Sequence, residues 1–270
     1  MSIPAIKASR LSNAGPAAPV LIAGPSLGTA SLPLWSRAAA ALDTFTVIAW
    51  DLPGHGASPA ATESFSVADL AAAVAAMVTG ARQAGDIAAD VPVFYAGVSL
   101  GGAVGLQLGL DHGALFDGVA VLCSGAKIGE TRAWEERAET VRVQGTPTQV
   151  VGSGQRWFAP GFMDREPAAA AALLHSLQDA DRFSYALCCR ALATFDVRGR
   201  LPDITVPVLA VAGADDVVTP PSFAQLIADR VANGTAAVVD DAAHLVPVEQ
   251  PAVTAGLLKD FFGAQYLEGK

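Results

Sequence analysis

The chain has 270 residues, 52% of them hydrophobic and 16% charged, which is too apolar for a disordered chain and long enough for one large packed domain. Its 17 Lys and Arg stand against 26 Asp and Glu, a formal net charge of -9, and it has no basic run that could follow a phosphate backbone, so nucleic acid is excluded as a partner. The mean hydropathy of +0.40 comes from Ala-rich stretches that charged residues interrupt, as Asp69 does between Val67 and Met77, so no membrane span is expected.

In chain order, the N-terminal segment places Lys7 and Arg10 after its few apolar residues, unlike a secretory leader with its basic region followed by an apolar core. Strands are expected at Val20 to Ala23, Phe45 to Trp50, Val93 to Ala96, Gly118 to Leu122, Val206 to Ala212 and Ala236 to Val239. They read as continuous apolar runs, the mark of strands buried on both faces. Helices are expected between them, at Leu34 to Leu42, Val67 to Ala84, Gly101 to Gly109, Ser222 to Val231 and Ala252 to Phe262. This alternation predicts an α/β fold with a mostly parallel sheet and loops that meet at its carboxyl edge. The stretch from Ala126 to Leu201 is different, because it holds most of the Arg, with Trp134, Trp157 and Tyr185, and no β run. It reads as a helical lid over that edge, giving a core of residues 1–125 and 202–270 and a lid of 126–201. The bland alternative is a peripheral helical subdomain that meets no ligand.

The sharpest local feature is Gly97-Val98-Ser99-Leu100-Gly101, which follows the strand Val93 to Ala96 and opens an Ala/Leu/Gly helix. A serine on such a strand–turn–helix corner points its Oγ above the sheet, and flanking glycines remove the Cβ atoms that would clash there. A nucleophilic serine needs a base, and the base needs an acid to hold its tautomer. His244 lies in Asp240-Asp241-Ala242-Ala243-His244, after the last strand and before the last helix, and is the base candidate. The acid should end the preceding strand, where Asp215 and Asp216 both lie. Asp216 is chosen, although both could merely cap the turn before Thr219-Pro220. For the oxyanion hole, one donor is the Leu100 N–H next to the nucleophile and the other comes from Gly24-Pro25-Ser26-Leu27-Gly28-Thr29. Pro25 has no N–H, which leaves Ser26 or Leu27, with Ser26 preferred.

The order Ser99, Asp216, His244, together with Asp51-Leu52-Pro53-Gly54-His55-Gly56-Ala57-Ser58, the elbow, and Ala243-His244 with Glu249-Gln250-Pro251, resembles the α/β-hydrolase superfamily across nearly the whole chain. Within it, the resemblance is closest to the 3-oxoadipate enol-lactonases. It is carried by Ser26-Leu27-Gly28-Thr29 and, in the lid, by Ile128-Gly129, Trp134 with Arg137-Ala138, Arg156-Trp157-Phe158, Arg165-Glu166-Pro167, and Tyr185-Ala186 with Cys188. Two departures stand out: Pro25 replaces the usual Asn, and the short leading segment predicts that one strand of the family's N-terminal hairpin is missing. The resemblance implies hydrolysis of a carboxylated enol-lactone to 3-oxoadipate in protocatechuate or catechol breakdown, with no cofactor and no metal. A substrate carboxylate meeting a protein of charge -9 needs local positive charge. Arg137 and Arg156 are the candidates, with Trp134 as an apolar wall, and a merely solvated role is the alternative for each arginine.

The same features fit another carboxylesterase or C–C bond hydrolase of the fold, or a non-catalytic ligand receptor that keeps the pocket. His55 reads as a turn residue, and His112 and His175 as structural. The three cysteines, Cys123, Cys188 and Cys189, suit small buried hydrophobes in a reducing cytoplasm better than a disulfide framework or zinc site. The expected partner is a small carboxylated lactone, with neither nucleic acid nor membrane; association with further copies of the chain, as a homo-oligomer, is left open.

Overall fold

The computed structural model describes residues 3–268. Seven strands form one sheet: β1 (Lys7–Arg10), β2 (Val20–Gly24), β3 (Thr46–Asp51), β4 (Val93–Val98), β5 (Gly118–Leu122), β6 (Val208–Gly213) and β7 (Gly234–Val239), in the spatial order β1-β3-β2-β4-β5-β6-β7. All pairings are parallel except β1 with β3, whose register runs from Lys7 opposite Asp51 to Arg10 opposite Ile48. The central strands β2, β4, β5 and β6 are buried along their whole length, which explains their unbroken apolar sequence.

The strand β1 is absent from the sequence expectation because Lys-Ala-Ser-Arg is exposed throughout. It exists through backbone pairing, not through an apolar face, and its charges suit an edge strand. One strand thus precedes β2 among the described residues. The strand β6 begins two residues later than Val206, because Pro207 has no N–H for the ladder; its carbonyl still accepts from Val119 N at 2.9 Å.

The helices flanking the sheet are α1 (Ser31–Ala41), α2 (Val67–Ala84), α3 (Leu100–Asp111), α9 (Pro221–Arg230), α10 (Val246–Glu249) and α11 (Pro251–Glu268). Helix α2 starts at a capping box in which Ser66 and Asp69 satisfy each other's backbone N–H. Helix α3 is buried over nearly all its length, which matches its Gly- and Leu-rich sequence, charged only at the terminal Asp111. Between β5 and β6 the chain forms five helices, α4 (Thr131–Gln144), α5 (Val150–Trp157), α6 (Phe162–Arg165), α7 (Pro167–Asp179) and α8 (Arg182–Thr194). This helical insertion is tied to the core by Asp181 N donating to Gly54 O at 2.8 Å and Ala61 N donating to Ser184 Oγ at 2.9 Å. No helix of the described residues is long and apolar enough to cross a membrane.

Candidate active site

Ser99 joins β4 to α3 with φ 55 and ψ -112, a conformation that costs a non-glycine residue of order 1–3 kcal/mol. Neighbouring structure enforces it. The Ser99 N–H donates to Leu122 O at 2.9 Å, and the Ser99 carbonyl accepts from Ser124 Oγ at 2.7 Å. A Cβ on Gly97 would strike the Gly101 carbonyl, and one on Gly101 would strike that of Pro25, so the corner admits only glycine at these close approaches. Gly101 N also donates to Pro25 O at 2.9 Å, which seats the loop after β2 directly on the corner despite the Pro25 departure.

His244 follows β7, and its Nδ1 lies 2.8 Å from Asp216 Oδ2. Both side chains are almost fully buried. A carboxylate can only accept, so Nδ1 carries the hydrogen and Nε2 is left as the basic nitrogen. Asp216 also accepts from Val218 N at 2.8 Å and Thr219 N at 3.1 Å through Oδ1, and from Thr219 Oγ1 at 2.8 Å through Oδ2. Burial alone would raise this carboxyl, but the His244 ring and the Thr219 donors outweigh it and hold the carboxyl below its ordinary value. Asp215 is exposed and contributes its N–H to Ala242 O at 2.9 Å. The choice between the two aspartates therefore falls on Asp216.

Ser99 and His244 line one cavity of about 200 Å³, with Ser26, Leu27, Trp134, Arg137, Ser153, Arg156, Trp157 and Tyr185 among its walls. No hydrogen bond joins Ser99 to His244 among the described residues; such bonds are often loose in an unliganded site and tighten around substrate.

The preference for Ser26 as oxyanion donor needs correction. Its N–H donates to Thr29 Oγ1 at 3.1 Å, and the Thr29 hydroxyl donates back to Ser26 O at 3.0 Å. This turn occupies the amide. Among the described residues the Leu27 and Leu100 N–H groups have no protein acceptor, and Leu27 lines the cavity, so Leu27 and Leu100 are the pair of donors available to an anion.

Trp134, Arg137 and Arg156 all reach the cavity. The Arg137 guanidinium lies 4.7 Å from the Trp134 ring centroid, a cation–π geometry. Neither arginine forms an ion pair among the described residues. Burial first, and then the charge of Arg137, lowers the Arg156 guanidinium below its ordinary value.

Sequence reasoning missed the supports: Ser124 on the Ser99 carbonyl, Thr219 on Asp216, Thr29 on Ser26, and Tyr185 and Ser153 as cavity walls. Tyr185 was noted as an aromatic of the lid stretch and as part of a resemblance, but was given no role. His55 is a buried turn residue, with Nδ1 2.9 Å from Pro53 O and its ring stacked on Tyr185. Burial lowers its pKa, and it is not a wall of the cavity. All three cysteines are buried thiols, with Cys189 pushed up to about 12 chiefly by burial. Among the described residues no cluster of three His, Cys, Asp or Glu side chains could hold a metal ion.

The fold and this site define a hydrolase of α/β architecture. The model of the alpha/beta hydrolase family matches residues 20–257, and the chain belongs to that family. It is similar to 3-oxoadipate enol-lactonase 2 of Acinetobacter baylyi, with 36% identity over 235 residues covering 86% of this chain and 84% of the relative. It is also similar to 3-oxoadipate enol-lactonase 1 of the same organism, with 32% identity covering 87% and 85%. Among solved structures, the enol-lactonase from Burkholderia xenovorans LB400 superposes with a TM-score of 0.85 at 28% identity, covering 96% of each chain.

Proposed function

We propose that the chain is a serine hydrolase that opens 3-oxoadipate enol-lactone to 3-oxoadipate through an acyl-enzyme on Ser99, with the helical insertion acting as a lid. One observation carries this reading: a single small cavity is lined by the Ser99 corner, by His244 bonded to Asp216, and by two arginines without a carboxylate partner. The substrate class comes from the relatives named above. The two unpaired guanidiniums supply what its free carboxylate requires, since charge-assisted bonds to carboxylate are the strong ones. The volume, about 200 Å³, is below the roughly 300–1,000 Å³ of sites for drug-sized ligands, which favours a compact lactone over a long acyl chain.

In this mechanism His244 Nε2 takes the proton of Ser99 Oγ as that oxygen bonds to the lactone carbonyl carbon. The developing oxyanion meets the Leu27 and Leu100 amides, each donor being worth roughly 3 kcal/mol. The ring C–O bond then breaks and the electron pair leaves as an enolate, more stable than an alkoxide; the His244 imidazolium gives its proton to that oxygen, forming the enol that tautomerises to the ketone and leaving Nε2 free again as a base. The leaving group stays tethered in the acyl chain. Water, deprotonated by His244, then attacks the acyl carbon and frees Ser99. Asp216 holds the ring tautomer and offsets the imidazolium charge.

The test follows enol-lactone consumption by wild type, Ser99→Ala and Arg137→Ala. The expected result is loss of about three or more orders of magnitude in kcat for Ser99→Ala. For Arg137→Ala, a KM raised about tenfold or more with a smaller change in kcat is expected, as when a charged hydrogen bond is lost. Near-wild-type turnover by Ser99→Ala overturns the mechanism, and an unchanged KM for Arg137→Ala removes that residue from carboxylate binding.

A further inference from the structure

Glu249 closes α10, five positions after His244, and is only 8% exposed. Its Oε2 accepts from Ala243 N at 2.8 Å and Leu245 N at 3.4 Å, and its Oε1 accepts from Ala159 N at 2.6 Å. Ala243 and Leu245 are the two residues flanking His244, so one oxygen cradles the turn that carries the ring. The other oxygen reaches 90 residues along the chain to the segment just after α5. A second rung joins the same two segments, because His244 N donates to Trp157 O at 3.1 Å. Trp157 and His244 are both walls of the cavity.

The carboxylate has no Lys or Arg partner among the described residues. A charge this buried is costly unless hydrogen-bonded; burial pushes it up, and the three amides work against that. A residue needed only to end a short helix would not require a buried anion spanning two distant segments.

We propose that Glu249 is a positioning residue for the His244 base: its carboxylate fixes the turn bearing the ring and fastens that turn to residues 157–159 of the helical insertion, so that base and cavity wall are set together. The inference rests on the reading of His244 as the base for Ser99. Glu249→Gln separates the two roles of the side chain, because an amide has one oxygen and one NH₂. In either orientation a donor faces a donor, and either the tie to Ala159 or the cradle under His244 is lost.

The experiment is phosphonylation of the full chain by an alkyl fluorophosphonate, followed by intact mass, with the maximal rate separated from the apparent affinity. Alongside it, proton NMR follows the low-field resonance of His244 Nδ1–H against Asp216. Glu249→Gln is expected to lower the maximal rate by about ten- to a hundredfold, the scale of a base displaced by an ångström or less, with affinity within about twofold and the low-field resonance broadened or lost. A residue with a purely structural role would lower the unfolding midpoint and leave both readouts of the folded protein unchanged. Equal labelling rates with an unchanged resonance overturn the proposal. Failure of the wild type to label at Ser99 overturns instead the reading of Ser99 as nucleophile. If Glu249→Gln does not fold, Glu249→Asp is measured in the same way. It keeps the charge but withdraws it by one methylene, so it cannot hold both segments; slowed labelling supports the proposal and wild-type labelling overturns it.

Discussion

Asp216 shows how one side chain can serve two purposes. It accepts from two backbone amides, the Thr219 hydroxyl and His244 Nδ1, so the turn after β6 and the tautomer of the His244 ring depend on the same carboxylate. Its folded pKa is depressed despite burial, by the His244 ring and the Thr219 donors. The sign of the linkage follows: the stabilisation is fully present above the ordinary carboxylate pKa and is lost as pH falls through the lower folded value. The difference in urea midpoint between wild type and Asp216→Asn should therefore be largest at neutral pH and narrow in acid; a difference that stays constant with pH would contradict it. At pH 7 the same variant should lose on the order of a thousandfold or more in kcat, because an amide can present its donor to Nδ1 and select the wrong tautomer. The sequence brought Ser99, Asp216 and His244 forward because each ends a recognisable strand. It could not separate Ser26 from Leu27 as amide donor, because the choice depends on a hydroxyl three residues on closing a turn over Ser26 N, and no residue type in Ser-Leu-Gly-Thr states which amide remains open.

At the scale of elements, the loop after β2 rests on the corner before α3 through Gly101 N and Pro25 O, and among the places where hydrogen bonds fasten the helical insertion to the core two are partly or wholly buried. One is the Glu249 and Trp157 pair of bonds already described. The other lies at the start of α8, where Ser184 Oγ donates to Asp181 Oδ1 at 2.7 Å and accepts from Ala61 N at 2.9 Å. Ser184→Ala should destabilise the protein by about 1–3 kcal/mol in urea unfolding, the cost of leaving a partly buried amide unpaired; an unchanged midpoint would mean that water replaces the hydroxyl without loss. Central strands were legible because burial on both faces demands apolar runs. The strand β1 was not, since its pairing with β3 uses backbone groups alone. The insertion was legible as helical from its lack of β runs, but its division into α4 to α8 was not. The break after α4 is an exception that went unread: Gly145, with φ 91, and Pro147 two residues on are strong turn residues.

For the whole molecule, the sheet order gathers residues far apart in the chain at one carboxyl edge, and the insertion walls them off. Ser99 leaves β4, Asp216 follows β6 and His244 follows β7, so the site exists only once the non-local parallel pairings have formed. The net charge of -9 would repel the carboxylated substrate proposed above at long range, and on that proposal the unpaired Arg137 and Arg156 supply the local correction to an unfavourable field. The proposed mechanism requires a covalent bond formed transiently in that enclosure. Enol-lactone is mixed with the protein, quenched in acid during turnover, and the digested peptides are weighed. A lactone has no separate leaving group, so the peptide containing Ser99 should gain the full mass of the substrate, and the gain should vanish in Ser99→Ala. Rapid turnover with no adduct at Ser99, sustained in Ser99→Ala, would contradict it.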